Sequence, residues 1–386
     1  MALRQSSFFI RFVILGVLVH VYVGLRLITD APVDAAAAAG GWLLLVASCV
    51  LIPMGMLSRR SSQRRPWGDL FAWAGLLVMG FFSSLFVFTL LRDAVLLFAW
   101  IASLLGASVP MLRLREISSL LVPALALLGS VVGFFNARRL ARVVTVNVPV
   151  AGLPEALENF TIVQISDVHV GPTIKSDYVR AIVAAVNAER PDLIAITGDV
   201  VDGSVDMLLA HAQPLSGLHA PHGVYVVTGN HEYYSGASAW VREFRRMGLT
   251  VLMNEHVVIE PAGQAMVVAG ITDYTAGSFD EAQRSDPARA LAGAPADAVV
   301  KLLLAHQPRS AMEAAPLGYT LQLSGHTHGG QFFPWGFFVQ LQQPYTAGLH
   351  RLQGMWVYTS RGTGYWGPPK RLWAPSEITR IRLVRG

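Results

Sequence analysis

Thr161-Ile162-Val163-Gln164-Ile165-Ser166-Asp167-Val168-His169 joins an apolar run of strand length to two side chains that can bind a metal. Asp167 and His169 are two residues apart, so on an extended segment both point to the same side. Outward from there the same arrangement returns four times. Gly198-Asp199-Val200-Val201-Asp202, Gly229-Asn230-His231-Glu232, Ala305-His306-Gln307 and Gly325-His326-Thr327-His328 follow the apolar runs Leu193–Thr197, Val224–Thr228, Lys301–Leu304 and Thr320–Leu323. Val267–Gly270 is a further run of this kind. Side chains that leave one edge of a sheet converge, and open α/β sheets build their sites there. Glycines beside the ligands (Gly198, Gly229, Gly325) permit the sharp turns and close backbone approach that such strand ends need.

The first two strands are joined by Ser176–Arg190, where Val179, Ile182, Val183 and Val186 recur at helical spacing before Pro191 ends the helix. This is a βαβ unit, and the fold class is α/β. Ala237–Met247 reads as another crossover helix, and Gly277–Asp297 as loop with a short helix. Val143–Val148 is β-branched and either enters the sheet or runs along it.

The donors are carboxylate, amide and imidazole, with no sulfur. That set suits borderline divalent cations such as Mn, Fe or Zn. Two such ions side by side can clamp a phosphoryl centre and generate hydroxide at neutral pH. Taken singly, each histidine is more often structural than ligating. Five of them in matching motifs reverse that expectation, while His20, His211, His219, His222, His256 and His350 fall outside the motifs and receive no role.

Composition divides the 386 residues sharply. Residues 1–142 hold 13 Arg and 5 acidic residues, net +8, and the remainder holds 17 basic and 20 acidic residues, net −3. The basic character belongs to the apolar part, so the chain lacks the basic face of a nucleic-acid binder, and no nucleic-acid partner is expected. Cys49 is the only cysteine, so no intrachain disulfide forms. Five apolar stretches precede the motifs: Phe8–Ile28, Ala36–Leu57, Leu70–Leu91, Ala94–Val109 and Ile117–Phe135. Most approach the roughly 20 residues a helix needs to cross a bilayer core. Arg11, His20 and Arg26 interrupt the first stretch, which reads as a retained helix rather than a cleaved signal. The expected division is therefore a transmembrane domain of about five helices at 1–142 and a soluble domain at 143–386. Arg59, Arg60, Arg64 and Arg65 place the second loop in the cytoplasm. Five spans then deliver the soluble half to the extracytoplasmic side. Arg138, Arg139 and Arg142 pull the other way, and four spans would put it inside.

The order and content of the motifs resemble the calcineurin-like metallophosphoesterase superfamily, whose pattern runs D-x-H, G-D-x-x-D, G-N-H-[DE], H, G-H-x-H. Ser324-Gly325-His326-Thr327-His328-Gly329-Gly330-Gln331 resembles a bacterial, membrane-associated branch of it. The resemblance covers about residues 155–386. It implies a β-sandwich of two mixed sheets flanked by helices, and two divalent metal ions per chain. Asp167, His169 and His328 would hold the first ion, and Asn230, His306 and His326 the second, with Asp199 bridging them. His231 would face the substrate as the catalytic acid, and Asp202 would orient a ligand or the turn. The implied protein is a membrane-anchored phosphohydrolase of a bacterial inner or plasma membrane. It would cleave a phosphodiester or pyrophosphate bond in a phosphate-containing substrate, a lipid or nucleotide-linked lipid included.

Two other readings stand beside it: a transporter or regulatory protein with a metal-binding soluble domain, and a catalytically dead metal-binding scaffold. The apolar stretches contain few ionisable residues, so no ion path is evident. Beyond His328 the chain is aromatic, with Phe332, Phe333, Trp335, Phe337, Phe338, Tyr365, Trp366 and Trp373. These residues either pack in the core or form a rim that meets the bilayer or an acyl chain. Arg361, Lys370 and Arg371 are open to phosphate contact or to structural use.

Overall fold

The computed structural model describes residues 2–58 and 66–386. It divides into two units, one of Met1–Phe135 with Gly367–Lys370, the other of Asn136–Trp366 with Arg371–Gly386.

Among the described residues the first unit is built on four helices: α1 (Ala2–Leu27), α2 (Ala35–Ser58), α3 (Pro66–Leu104) and α4 (Met111–Arg138). Three apolar segments, Ala35–Leu57, Trp67–Leu104 and Met111–Arg138, are long enough to cross a membrane, and Val13–Leu27 is a shorter apolar helix. The expectation of five spans is corrected here, because the third and fourth stretches form one helix of 39 residues. Arg92 and Asp93 do not break it because both find partners. Arg92 donates to Asp30, to the Arg26 carbonyl and to Ser118, while Asp93 accepts from Arg26 and from the Tyr22 hydroxyl. Buried charge that is paired and hydrogen-bonded is tolerated inside a helix bundle. At about 1.5 Å per residue α3 extends about 58 Å, well beyond a bilayer core of about 30 Å. His20 is also satisfied locally, by Ser48 at 3.0 Å and by stacking on Phe82. The Arg-rich loop of the topology argument lies outside the described residues. Lys370, grouped with these helices, donates to the Gly80 carbonyl and to the Ser84 and Ser130 hydroxyls.

The second unit is a sandwich of two six-stranded mixed sheets. Its strands are β1 (Arg142–Val150), β2 (Thr161–Ile165), β3 (Leu193–Thr197), β4 (Val224–Val227), β5 (Thr250–Val251), β6 (Glu255–Ile259), β7 (Met266–Gly270), β8 (Val300–Leu304), β9 (Leu321–Ser324), β10 (Gly348–Leu352), β11 (Met355–Thr359) and β12 (Glu377–Arg385). One sheet runs β1-β12-β2-β3-β4-β5 and the other β10-β11-β9-β8-β7-β6. In both, the central strands are parallel, β2, β3 and β4 in the first and β7, β8 and β9 in the second, and all of them but β7 carry a motif. Parallel strands end on the same edge, so the motifs that follow them are delivered together.

The helices are α5 (Ser176–Ala188), α6 (Val205–Ala212), α7 (Asn230–Ser235), α8 (Ala237–Arg246), α9 (Pro287–Leu291), α10 (Ala311–Ala314) and α11 (Trp335–Val339). Period-two alternation decides which side chains fill which layer. Ile162, Leu193, Ala195, Val268 and Leu302 point between the sheets. Val163, Ile165, Ile194 and Ile196 point outward against Val179, Ile182 and Val186 of α5 and Trp240 and Phe244 of α8. Val267, Ala269 and Leu303 point outward on the other face, against Ala311 and Ala314. Every strand run read from the sequence lies within two residues of a strand. Val143–Val148 enters the sheet as edge strand β1, paired in parallel with β12.

Candidate metal centre

The five motifs meet at the carboxyl ends of β2, β3, β4, β8 and β9. The loop Ile165–Val170 is locked to its neighbour by backbone bonds from Asp167 N to Gly198 O and from His169 N to Asp199 O. Three overlapping groups of donor atoms result: Asp167, His169 and His328; His169, Asp199 and His231; and Asp199, His306 and His326. Within each, the donor atoms lie within 4.8 Å of one another. His169 Nε2 and His328 Nε2 are 3.0 Å apart, and His326 Nδ1 and His306 Nε2 are 3.2 Å apart. His306 Nε2 is 3.1 Å from Asp199 Oδ2.

Backbone conformation shows what holds these donors in place. Asp167, His169, Asp199, His326 and His328 all have φ between 51° and 70°. Non-glycine residues in this left-handed region cost of the order of 1 kcal/mol or more each, and such strain clusters at functional sites. Five strained residues on three segments, all aimed at one point, mark the purpose of the turns.

The donors fit a divalent cation by a further observation. Asn230 Oδ1 is buried with no hydrogen-bond partner, although a buried amide oxygen normally has one. It opens α7 next to Asp199, where a cation would satisfy it. A side chain in one case and a backbone carbonyl in the other fix which imidazole nitrogen faces inward. His169 Nδ1 bonds Asp202 Oδ1 at 2.8 Å, and His306 Nδ1 donates to Thr197 O at 2.7 Å. In each case Nε2 is left to face the cluster, the usual arrangement of a ligand held by an outer partner.

His231 is different. Its Nδ1 bonds the same Asp202 Oδ1 at 2.6 Å, and its Nε2 stands 3.9 Å from Asp199 Oδ2. Its side chain keeps some exposure, while His169 and His306 are closed off. The Tyr234 and Trp366 rings flank it, with centroids at 5.3 and 5.9 Å. Burial pushes the His231 imidazole down, but the Asp199 and Asp202 carboxylates overcome this and hold it at about 9. Burial and the neighbouring His306 drive His326 down to about 3, an imidazole kept neutral and free to donate a lone pair.

Glu232 is a residue whose role sequence reasoning missed. Its Oε1 accepts from Val200 N and Val201 N, and its Oε2 from Asp199 N and Gly229 N. One carboxylate thereby ties the Asp199 turn to the start of α7. The signal was present, since Glu232 closes the Gly-Asn-His-Glu motif, but its bonds to backbone amides of another segment are visible only in the fold. Arg371 is fully enclosed and donates to the carbonyls of His328, Arg361, Gly364 and Ala374. It clamps the loop that carries His328, so the phosphate reading of Arg371 is set aside. Arg361 pairs with Glu377 at 3.0 Å.

A family model described as calcineurin-like phosphoesterase matches residues 160–330. A Bos taurus transmembrane protein with metallophosphoesterase domain is 36% identical over 305 residues, covering 76% of this chain and 68% of that protein. The Danio rerio protein of the same description is 37% identical over 262 residues, 66% of this chain and 60% of its own length. An uncharacterized metallophosphoesterase of Aquifex aeolicus is 34% identical over 233 residues, 60% of this chain and 87% of its own length. Fold, site and likeness agree on the class, and the chain belongs to the calcineurin-like phosphoesterase family, metal-dependent hydrolases of phosphoric ester bonds. It spans about three fifths of the zebrafish relative.

Proposed function

We propose that this chain is a membrane-anchored dinuclear phosphohydrolase that cleaves a phosphodiester or pyrophosphate bond. The observation that carries the reading is the set of three donor groups that overlap at His169 and Asp199, with the partnerless Asn230 Oδ1 beside them. Asp167, His169 and His328 would hold one ion and Asn230, His306 and His326 the other, with Asp199 between. Bound there, two divalent cations such as Mn, Fe or Zn supply Lewis acidity and a hydroxide nucleophile. A shared carboxylate lessens the repulsion between two cations a few ångström apart, which no single histidine can do.

The chain's own residues do the rest. Asp202 holds His169 and His231 with one oxygen, so ligand and proton donor keep a fixed spacing. His231, kept protonated by its carboxylate neighbours, hands a proton from Nε2 to the departing oxygen of the phosphate ester. Tyr234 and Trp366 flank that imidazole. Purified protein should turn over a generic aryl phosphodiester, lose turnover on chelation and regain it with Mn²⁺. A folded protein that stays inert across diester, pyrophosphate and monoester substrates in every metal would overturn the reading.

We infer the side of the membrane from the parity of the helices. Four helices, in place of the five expected, return the chain after α4 to the side of the Arg-rich loop, and Arg138, Arg139 and Arg142 agree with that side. We therefore place the catalytic domain in the cytoplasm. A carboxyl-terminal reporter active only in the periplasm should stay silent, and a signal from it would reverse the assignment.

A further inference from the structure

Trp335, Phe337, Phe338 and Leu341, on and just after α11, project from the catalytic unit, and Trp373 projects beside them. Phe337 is 66% exposed, Leu341 80% and Trp373 77%. No residue of α11 is buried. Phe333 contacts both Phe337 and Trp373 with centroids 6.1 Å away, Trp335 contacts Phe338 at 5.7 Å, and the short helix that carries Trp335, Phe337 and Phe338 continues into Leu341, whose N–H donates to the Phe338 carbonyl. This is far from the scattered single apolar residues that any soluble surface carries.

Four further observations say what covers it. Between Glu313 and Arg351 the chain contains no Asp, Glu, Lys or Arg, so no charged side chain in the segment opposes leaving water. The side chains it exposes are Trp, Phe and Leu, the types that interfacial helices bury at the boundary of head groups and acyl chains. Trp373 is exposed and adopts φ 67°, a strained conformation for a bulky residue. The bilayer is also always within reach. Only residues 139–141 separate α4 from β1, and Trp373 lies three residues after Lys370, which is grouped with the membrane-length helices.

We propose that the surface of Trp335, Phe337, Phe338, Leu341 and Trp373 inserts into the head-group and upper acyl region of the lipid bilayer. The segment is wired to the site. Gln331 Nε2 donates to Trp366 O, and Trp366 N donates to Gln331 Oε1, both at 2.9 Å, and the Trp366 ring flanks His231. Insertion therefore sets the metal centre at the interface, where the phosphate it meets is that of a membrane lipid. This corollary rests on the hydrolase reading above, whereas insertion itself does not.

The test uses the full-length protein in phospholipid vesicles. Cys49→Ser removes the only native thiol. Nitroxide labels are then placed by F337C, L341C and W373C, with R180C on the exposed side of α5 as the water reference. Collision with oxygen should exceed collision with a water-soluble nickel chelate at the three patch positions and fall below it at position 180. Nickel-dominated collision at 337 and 341 would overturn the proposal. So would shielding from both reagents, which would mean a second copy or another protein covers the surface. In a separate assay, Phe337→Ser with Phe338→Ser and Leu341→Gln should cut turnover of a lipid phosphodiester in vesicles by tenfold or more, with a soluble aryl diester changed less than twofold. Equal loss on both substrates would refute the lipid corollary. If the unaltered protein hydrolyses neither, the hydrolase reading fails and the label result still decides insertion.

Discussion

A carboxylate whose two oxygens each face two backbone amides cannot be replaced by its own amide without harm. Glu232 is such a group, fully enclosed, with Val200 and Val201 on one oxygen and Asp199 and Gly229 on the other. In Glu232→Gln one oxygen becomes an NH₂ that points at two N–H donors. At about 1–3 kcal/mol per unsatisfied buried donor, the loss is about 3 kcal/mol. A thermal melt should show that loss, and metal content should fall with it, since the turn bearing Asp199 and the start of α7 are released together. A variant as stable and as metal-rich as the parent would show that the four bonds do not hold the turn. At the centre itself, Asp199→Asn and His231→Ala should separate binding from chemistry. Asp199 belongs to two of the three donor groups, so its amide should lower occupancy of both ions in elemental analysis. His231→Ala should keep both ions and lose about 10²–10⁴ in rate, less for a leaving group of low pKa. Should His231→Ala empty a metal position, His231 is a ligand as its grouping with His169 and Asp199 allows, and the acid role falls.

Elements deliver these residues, and their legibility in the sequence varied for physical reasons. The βαβ unit was readable because α5 presents Val179, Ile182, Val183 and Val186 on one face and all four are buried. The convergence of the motifs was readable because each follows a strand directly, with glycines where backbones nearly touch. β12 was not readable. Its Arg380, Arg382 and Arg385 alternate with Ile381, Leu383 and Val384 in a way that suggests a surface segment, yet it lies between β1 and β2. That position depends on closure between chain ends, which local pattern does not contain. The fourth apolar stretch misled for a similar reason, since Arg92 and Asp93 are satisfied by residues on α1 and α4 rather than by water. Gly325 tests the element-scale argument. A Cβ there would overlap the Ser166 hydroxyl and the Asp167 carboxylate, so β9 and β2 could not end side by side. Gly325→Ala should cost about 1–3 kcal/mol by overpacking and sharply reduce both metal content and turnover. The control is Gly336→Ala, whose methyl meets nothing nearer than 3.9 Å and should leave both unchanged. Equal effects of the two substitutions would refute the packing account.

For the whole molecule, the division of labour between the two units makes the last prediction. Every residue of the three donor groups lies in the second unit, together with Glu232 and Arg371, which hold the site's turns. Both sheets and the core between them are there too. A chain beginning at Asn136 keeps Arg138, whose guanidinium bonds the Thr173 carbonyl and the Tyr365 hydroxyl, and keeps the whole of β1. What it loses is the set of partners of Lys370, an exposed ammonium in the shortened chain that water will solvate at little cost. Trp366 stays fixed through Gln331, so the flank of His231 survives. The shortened chain should fold cooperatively, bind the same number of metal ions and hydrolyse a soluble aryl diester within a few-fold of the full-length rate. Circular dichroism, elemental analysis and kinetics on one preparation decide it. A folded, metal-loaded but inert product beside an active full-length protein would mean that the helical unit supplies something the chemistry needs. The separation argued from residue placement would then be wrong, and the search for a missing group would move to Gly367–Lys370, the segment of the catalytic chain that the helices hold.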